Sequence, residues 1–356
     1  MDTNFFKDLR IIDISTVLAG PSVGTFFAEL GAKVIKIEHP IHGDVTNTWR
    51  LDSELNMDFK SAYYASVNYK KEILKLDLCL DSDYHLFSKT LKDADILLLN
   101  FKKGDDSKLK VRPEDLWAIN PGLIIGKISG FGSESDRIAY DLILQAESGF
   151  MAMNGTKESG PTKMPVALID ILAAHQLKEG LLLALLKRQP KKGQLVSVSL
   201  YDAAISSLAN QASNYLMQGH IPQRIGSLHP NIAPYGEIFH TQDQQSITFA
   251  IGSNTHFKKL VSLLHMPELA NHAHFKTNML RVKNRHKLQP LLQQSIGEMS
   301  CATLLDALIE ENVPVAQIKN LDTVFNDAQA QALVKTEEVN GQHTKRVSQI
   351  AFKFEQ

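Results

Sequence analysis

Cysteine is scarce in this chain: Cys79 and Cys301 are the only two among 356 residues, far apart and without a C-x-x-C spacing. That argues against a disulfide framework or a thiolate metal site and fits a reducing compartment. The thirteen histidines form no H-E-x-x-H or other close ligand spacing, so no metal site is expected. Charge of one sign is also lacking. Thirty-eight Lys and Arg face 39 Asp and Glu, which leaves no overall pull toward nucleic acid or a membrane surface, and neither is expected as a partner. Lys, Asp or Gly interrupts every apolar run well short of the roughly 18 residues a membrane span needs. The opening MDTNFFKDLRIIDIS lacks the apolar stretch of a secretory leader, so a cytoplasmic location is expected. Internal repeats and low-complexity segments are absent as well.

A nicotinamide fingerprint is missing too. Residues 9–14 read as a buried strand, 15–22 as a loop, 23–30 as a helix ended by Gly31, and 33–38 as a second strand. A strand, crossover helix and strand predict a parallel sheet with ligands at the carboxyl ends of its strands. Glu38 invites a dinucleotide reading, but Gly20 and Gly24 lie four apart with Pro21 between them, not as G-x-G-x-x-G.

What is present is a densely apolar stretch, residues 165–202. Ile171, Leu172, Leu177, Leu181, Leu182, Leu185 and Leu186 recur too closely for a one-sided stripe and predict a largely buried helix over 171–188. Lys187 and Arg188 sit in its last turn, and Pro190 with Gly193 ends it. Residues 194–200 alternate like a strand. Asp170 enters the helix among Ala167, Leu168, Ile169, Ile171 and Leu172. One reading makes it an N-cap. The other starts from the cost of an ionised carboxylate in apolar surroundings and makes Asp170 a nucleophile toward an activated acyl group. The two readings are compatible.

PVALID, with GLLLALLKRQPKKGQLVSVSLYDAA after it, resembles the core signature of the family III CoA-transferases. That group includes the formyl-CoA and carnitine-CoA transferases, with the alpha-methylacyl-CoA racemases as a sister group. The resemblance implies that Asp170 is the catalytic nucleophile. Val17, Leu18, Ala19, Gly20 and Pro21, with ELGAKVIKIE, resemble the family's loop against CoA and the reacting thioester. It implies Thr16 and Val17 on CoA and Leu18, Ala19 and Gly20 at the substrate; Gly20 lets backbone approach closely and Ala19 leaves room. Gly43 and Asp44 match P-x-G-G-D-x-x-R, while Asn47 replaces an Arg for which Arg50 is the substitute. Asn68, Lys71, Leu76 and Asp77 match a further motif in which Glu72 replaces Arg; Lys71 is expected on CoA.

After the strand ADILLLN, the resemblance places Asn100, Phe101, Lys102, Lys103, Lys108 and Leu109 on CoA, with the lysines meeting its phosphates. The plain alternative for such a cluster is a solvated face. Ser129 to Gly132 match a glycine-bounded loop, and Arg137 is also expected on CoA. Tyr140, Asp141, Gln145, Ala146, Ser148 and Gly149 match [YH]-D-x-x-x-Q-A-x-[ST]-G, and Tyr140 and Asp141 are expected to position substrate. The racemases carry His in place of this Tyr, because proton transfer at an alpha carbon needs a base near neutral pKa. Tyr140 therefore favours CoA transfer. Arg224, Gly226, Pro234 and Tyr235 continue the match, without the glycine run that forms a lid in formyl-CoA transferase.

The implied fold is α/β, with a Rossmann-like large domain of parallel sheet over 1–200, completed by 327–356. A linker helix at 201–224 and a smaller α/β domain at 225–326 follow. By resemblance the protein is an interlocked homodimer that binds no cofactor tightly and takes coenzyme A and acyl-CoA, with a carboxylic acid, as substrates. The alternatives are a 2-methylacyl-CoA racemase or epimerase and a non-catalytic CoA-binding member, the latter suggested by Asn47, Glu72 and the missing glycines.

Overall fold

The computed structural model of the chain describes residues 4–55, 60–339 and 342–353. They form two compact units. One holds the described residues up to Ala152, Lys163–Pro222 and those from Ala332 onward; the other holds Met153–Thr162 and Gln223–Gln331.

The first unit is built on strands β1 (Arg10–Asp13), β2 (Lys33–Glu38), β3 (Lys71–Lys75), β4 (Ile96–Leu99), β5 (Ile124–Ser129) and β6 (Gln194–Ser199). All run parallel, in the order β3-β2-β1-β4-β5-β6. Its helices include α1 (Ala19–Glu29), α2 (Asp81–Leu91), α3 (Pro113–Ile119), α4 (Asp141–Glu147) and α5 (Leu168–Leu186). Strand side chains alternate between two cores. Ile11, Val34, Ile96, Leu98 and Ile124 join the core of α1 and α5, whereas Ile12, Leu97, Leu99 and Ile125 join Phe87, Leu91 and Leu116 of α2 and α3. Burial on both faces is why β4 reads as an unbroken apolar run. At the edge, β3 carries charge instead, and Glu72 turns to Lys33 at 3.4 Å.

Two helices differ from their predicted form. α1 begins at Ala19, so Pro21 and Ser22 are helical; a proline in the first turn forfeits no intrahelical hydrogen bond. Gly20 and Gly24, one turn apart, let α1 lie close over β1. A Cβ on Gly20 would stand 2.3 Å from Ser15 Oγ, and one on Gly24 would stand 3.1 Å from Asp13 Oδ2. α5 does bury a one-sided stripe, Ile169, Ala173, Leu177, Leu181 and Ala184 among it, while Leu183 and Leu186 are exposed. The expected linker helix over 201–224 is likewise two helices, Leu200–Ser206 and Ala209–Gln218, parted where Ala209 takes a φ of +49°.

The tail folds back on this unit. Strands β10 (Val334–Val339) and β11 (Gln342–Val347) pair antiparallel, and Arg346 reaches the buried Glu29 of α1 at 2.7 Å. In the second unit, β7 (Tyr235–His240), β8 (Ser246–Ala250) and β9 (Val315–Gln317) form an antiparallel sheet. Phe239, Phe249, Phe257, Leu292 and Leu304 fill its core against helices Asn254–Leu263, Arg285–Ile296 and Cys301–Glu310.

Candidate active site

The strand order reverses between β1 and β4, which is where a doubly wound sheet opens a crevice at its carboxyl end. Two side-chain hydrogen bonds span this point: Thr16 N–H donates to Asn100 Oδ1 at 3.1 Å, and Asn100 Nδ2 donates to the Thr16 carbonyl at 2.9 Å. Beneath them lie two buried ion pairs. Lys71 Nζ meets Asp13 Oδ2 at 2.8 Å and Lys36 Nζ meets Asp44 Oδ2 at 3.1 Å, with no side-chain surface exposed in either pair. Burial raises the Asp13 carboxyl, but the ammoniums of Lys71 and Lys36 outweigh it and hold Asp13 below the usual range.

Two cavities open here. The first, about 360 Å³, is lined by Thr16, Val17, Asn100 to Lys103, Lys127, Gly130, Arg137 and Tyr140 among others. The second, about 410 Å³, is lined by Thr16, His39, Asp77, Phe101, Lys108 and Leu109 among others. Thr16 and Phe101 line both. Carboxylates already hold three cations of the first cavity. Lys103 meets Glu134 at 3.1 Å, Lys127 meets Asp106 at 3.3 Å, and Arg137 grips Glu147 at 3.1 and 2.6 Å with its guanidinium 4.0 Å over Phe131. Lys102 has no acidic partner among the described residues.

Asp170 is the third residue of α5, not its cap. Another element does the capping: Asp141, first residue of α4, accepts Ile169 N–H on Oδ1 at 2.7 Å and Gln145 Nε2 on Oδ2 at 2.6 Å. Relieved of that role, Asp170 is a residue only 7% exposed, and its carboxylate accepts no hydrogen bond from the described residues. Burial, then the negative charge of Asp141, pushes it up to about 7. Tyr63 shares this field. Burial and the charges of Asp170, Asp141 and Asp44 push its hydroxyl up to about 12, and its ring packs edge-on against Trp49 at 5.1 Å.

The family model for CoA-transferase family III matches residues 6–356. The chain belongs to this family. It is 33% identical over 331 residues to a succinate–glutarate CoA-transferase of Agrobacterium fabrum, covering 91% of this chain and 82% of that one. It is 33% identical to an acetyl-CoA:oxalate CoA-transferase of Acetobacter aceti, covering 92% and 84%. Among solved structures, a CaiB/BaiF family protein from Brucella suis is 33% identical with a TM-score of 0.83, covering 97% of this chain and 91% of that one.

In this family III chain, the first cavity gathers Thr16, Val17, Asn100, Phe101, Lys102, Lys103, Arg137 and Tyr140, and the second adds Lys108 and Leu109. Leu18, Ala19, Gly20, Asp141 and Asp170 line neither. Leu18 is the N-cap of α1, and Ala19 and Gly20 are buried in its first turn, so close packing on Ser15 explains the glycine better than approach to a ligand. Lys71, expected on CoA, lines neither cavity. Its ammonium is sealed in and spent on Asp13, the Pro21 carbonyl and Asn68 Oδ1. Glu38 is engaged as well, accepting the Tyr64 hydroxyl at 2.6 Å, and Arg50 bonds the carbonyls of Asn47 and Glu54. Tyr63 was missed because residues 51–66 show no period; its one signal was a tyrosine pair in a polar stretch.

Proposed function

We propose that the protein transfers CoA from an acyl-CoA thioester to a free carboxylate through covalent intermediates on Asp170. An Asp170 oxygen attacks the thioester carbonyl, the C–S bond breaks, and a mixed anhydride and CoA thiolate result. The thiolate attacks Asp170 Cγ, the donor acid leaves as its carboxylate, and an Asp170–CoA thioester remains. The acceptor carboxylate attacks that thioester, and the thiolate returns to the new acyl group, regenerating the Asp170 carboxylate. Division of one hard exchange into several additions is what covalent catalysis contributes.

The observation that carries this reading is the Asp170 carboxylate itself: mostly buried, unpartnered among the described residues, and destabilised as an anion. Most buried polar groups with a purely structural role have a partner. Tyr140, half exposed on the cavity wall, supports transfer over racemisation, because a phenol is a poor base at neutral pH where an imidazole is a good one. It can orient a carboxylate by donating its hydroxyl.

Relatives named for succinate, glutarate and oxalate support short dicarboxylic acids as acceptors. A homodimer in the cytoplasm completes the proposal. Leu216 and Met217 are 79% and 77% exposed at the end of their helix, which supplies apolar surface for a second copy, and size-exclusion chromatography with light scattering checks it. Asp170→Ala is expected to abolish transfer and to keep CoA binding by calorimetry. Full activity in that variant would remove Asp170 from the chemistry. A racemase would instead exchange alpha-carbon hydrogen for deuterium with no acceptor acid present.

A further inference from the structure

Two of the groups that fix the loop after β1, Lys36 and Asp44, take no part in the chemistry proposed above, yet they surround a residue in a conformation it does not favour. Val17 has a φ of +72°. For a β-branched residue that is an outlier, and it persists only where neighbouring contacts impose it. Asp44 Oδ1 accepts the Val17 N–H at 3.4 Å, with the Thr46 N–H at 3.0 Å and the Thr46 hydroxyl at 2.8 Å on the same oxygen. Asp44 Oδ2 takes Lys36 Nζ, which also donates to the Ser15 carbonyl at 2.8 Å. With Asn100 clasping Thr16 from both sides, three consecutive residues of the cavity loop are tied to buried or part-buried side chains of β2 and of the segments after β2 and β4. A buried ion pair is a weak source of net stability, because desolvation offsets its attraction. Fixed geometry is what it can supply.

We propose that the Lys36–Asp44 pair is a positioning device for acyl transfer, holding Val17 in its left-handed turn so that the Thr16–Val17 wall of the first cavity presents a fixed backbone to the bound acyl-CoA. This rests on the reading of Asp170 as the transferring carboxylate. The pair acts through the loop and touches no substrate, so its loss slows the chemical step more than it weakens binding.

The test is steady-state kinetics on Asp44→Ala, alone and combined with Val17→Gly, with Val17→Gly as the reference. Asp44→Ala is expected to lower kcat about 100-fold, the scale of a small misplacement at a reacting centre, while KM for acyl-CoA stays within a few-fold. Val17→Gly in that background is expected to recover about tenfold in kcat, because glycine holds a positive φ unaided. A framework role alone would lower the melting temperature without this kcat–KM split and would not respond to glycine at 17. Asp44→Ala leaves Lys36 buried without a carboxylate, so Lys36→Met/Asp44→Ala, which removes both charges, is measured in parallel with and without Val17→Gly. Unchanged kcat in a folded variant, a loss confined to KM, no recovery with glycine, or failure of both variants to fold overturns the proposal. Activity surviving in Asp170→Ala would instead overturn the transfer reading itself.

Discussion

Asp170 is held where its ionised form is costly, with little solvent and no hydrogen-bond donor among the described residues. Its folded value of about 7 lies above the ordinary aspartate value of 3.8, so the folded protein keeps the proton between those limits and stability falls as pH rises through that window. The loss is complete above about pH 7 and is on the order of 4 kcal/mol. Asp170→Asn is therefore expected to be inactive yet to melt higher than the parent at pH 8, with the difference closing toward pH 4 in thermal scans. The kcat/KM for acyl-CoA is expected to rise about tenfold from pH 6 to pH 8 as Asp170 ionises. Asp141→Asn keeps an acceptor for Ile169 N–H and removes the charge, so the midpoint of that pH profile is expected to move below 7. An unmoved midpoint would show that Asp141 does not act on Asp170 electrostatically. The motif around Asp170 was legible in the sequence. Its relief from capping was not, because the residue that caps α5 lies 28 positions earlier, beyond any local period.

Among the elements, α1 shows why some boundaries were legible and others were not. Gly31, at a φ of +95°, ends the helix as its sequence foretold. The start was misplaced because Gly-Pro-Ser reads as a loop, although a proline is compatible with a helix's first turn. The two glycines of α1 carry a prediction. Gly20→Ala drives a Cβ into both Oγ and Cβ of Ser15, at 2.3 and 2.4 Å, and must lift α1 or displace the loop. The expected cost is about 1–3 kcal/mol by urea denaturation. Gly24→Ala meets Lys71 Cε and Asp13 Oδ2 at 3.2 and 3.1 Å and is expected to cost less. Equal tolerance of both would show that α1 does not lie as close as described. For α5, the density of leucine obscured a one-sided stripe, because Leu183 and Leu186 face outward here.

For the whole molecule, β1 and β4 were legible because burial on both faces makes them continuous apolar runs, whereas the charged edge strand β3 was not. Strand order and the pairing of Lys36 and Lys71 were not, since a lysine inside a strand reads as surface until its partner is known. Glu29 anchors the returning tail, taking Arg346, the Ser348 hydroxyl at 2.6 Å and Gln349 N–H at 3.0 Å. Arg346→Ala leaves that carboxylate buried without its cation and is expected to cost about 3 kcal/mol, with faster amide exchange across 343–350; unchanged exchange there would show that the tail is held by other contacts. Covalent transfer through one aspartate leaves a trace that intact-mass spectrometry reads after enzyme is mixed with acyl-CoA. The predicted result is a CoA adduct that hydroxylamine removes, that maps to Asp170, and that Asp170→Ala does not form. An enzyme that exchanges CoA between acids under the same conditions with no such adduct, or with an adduct at another residue, would contradict it.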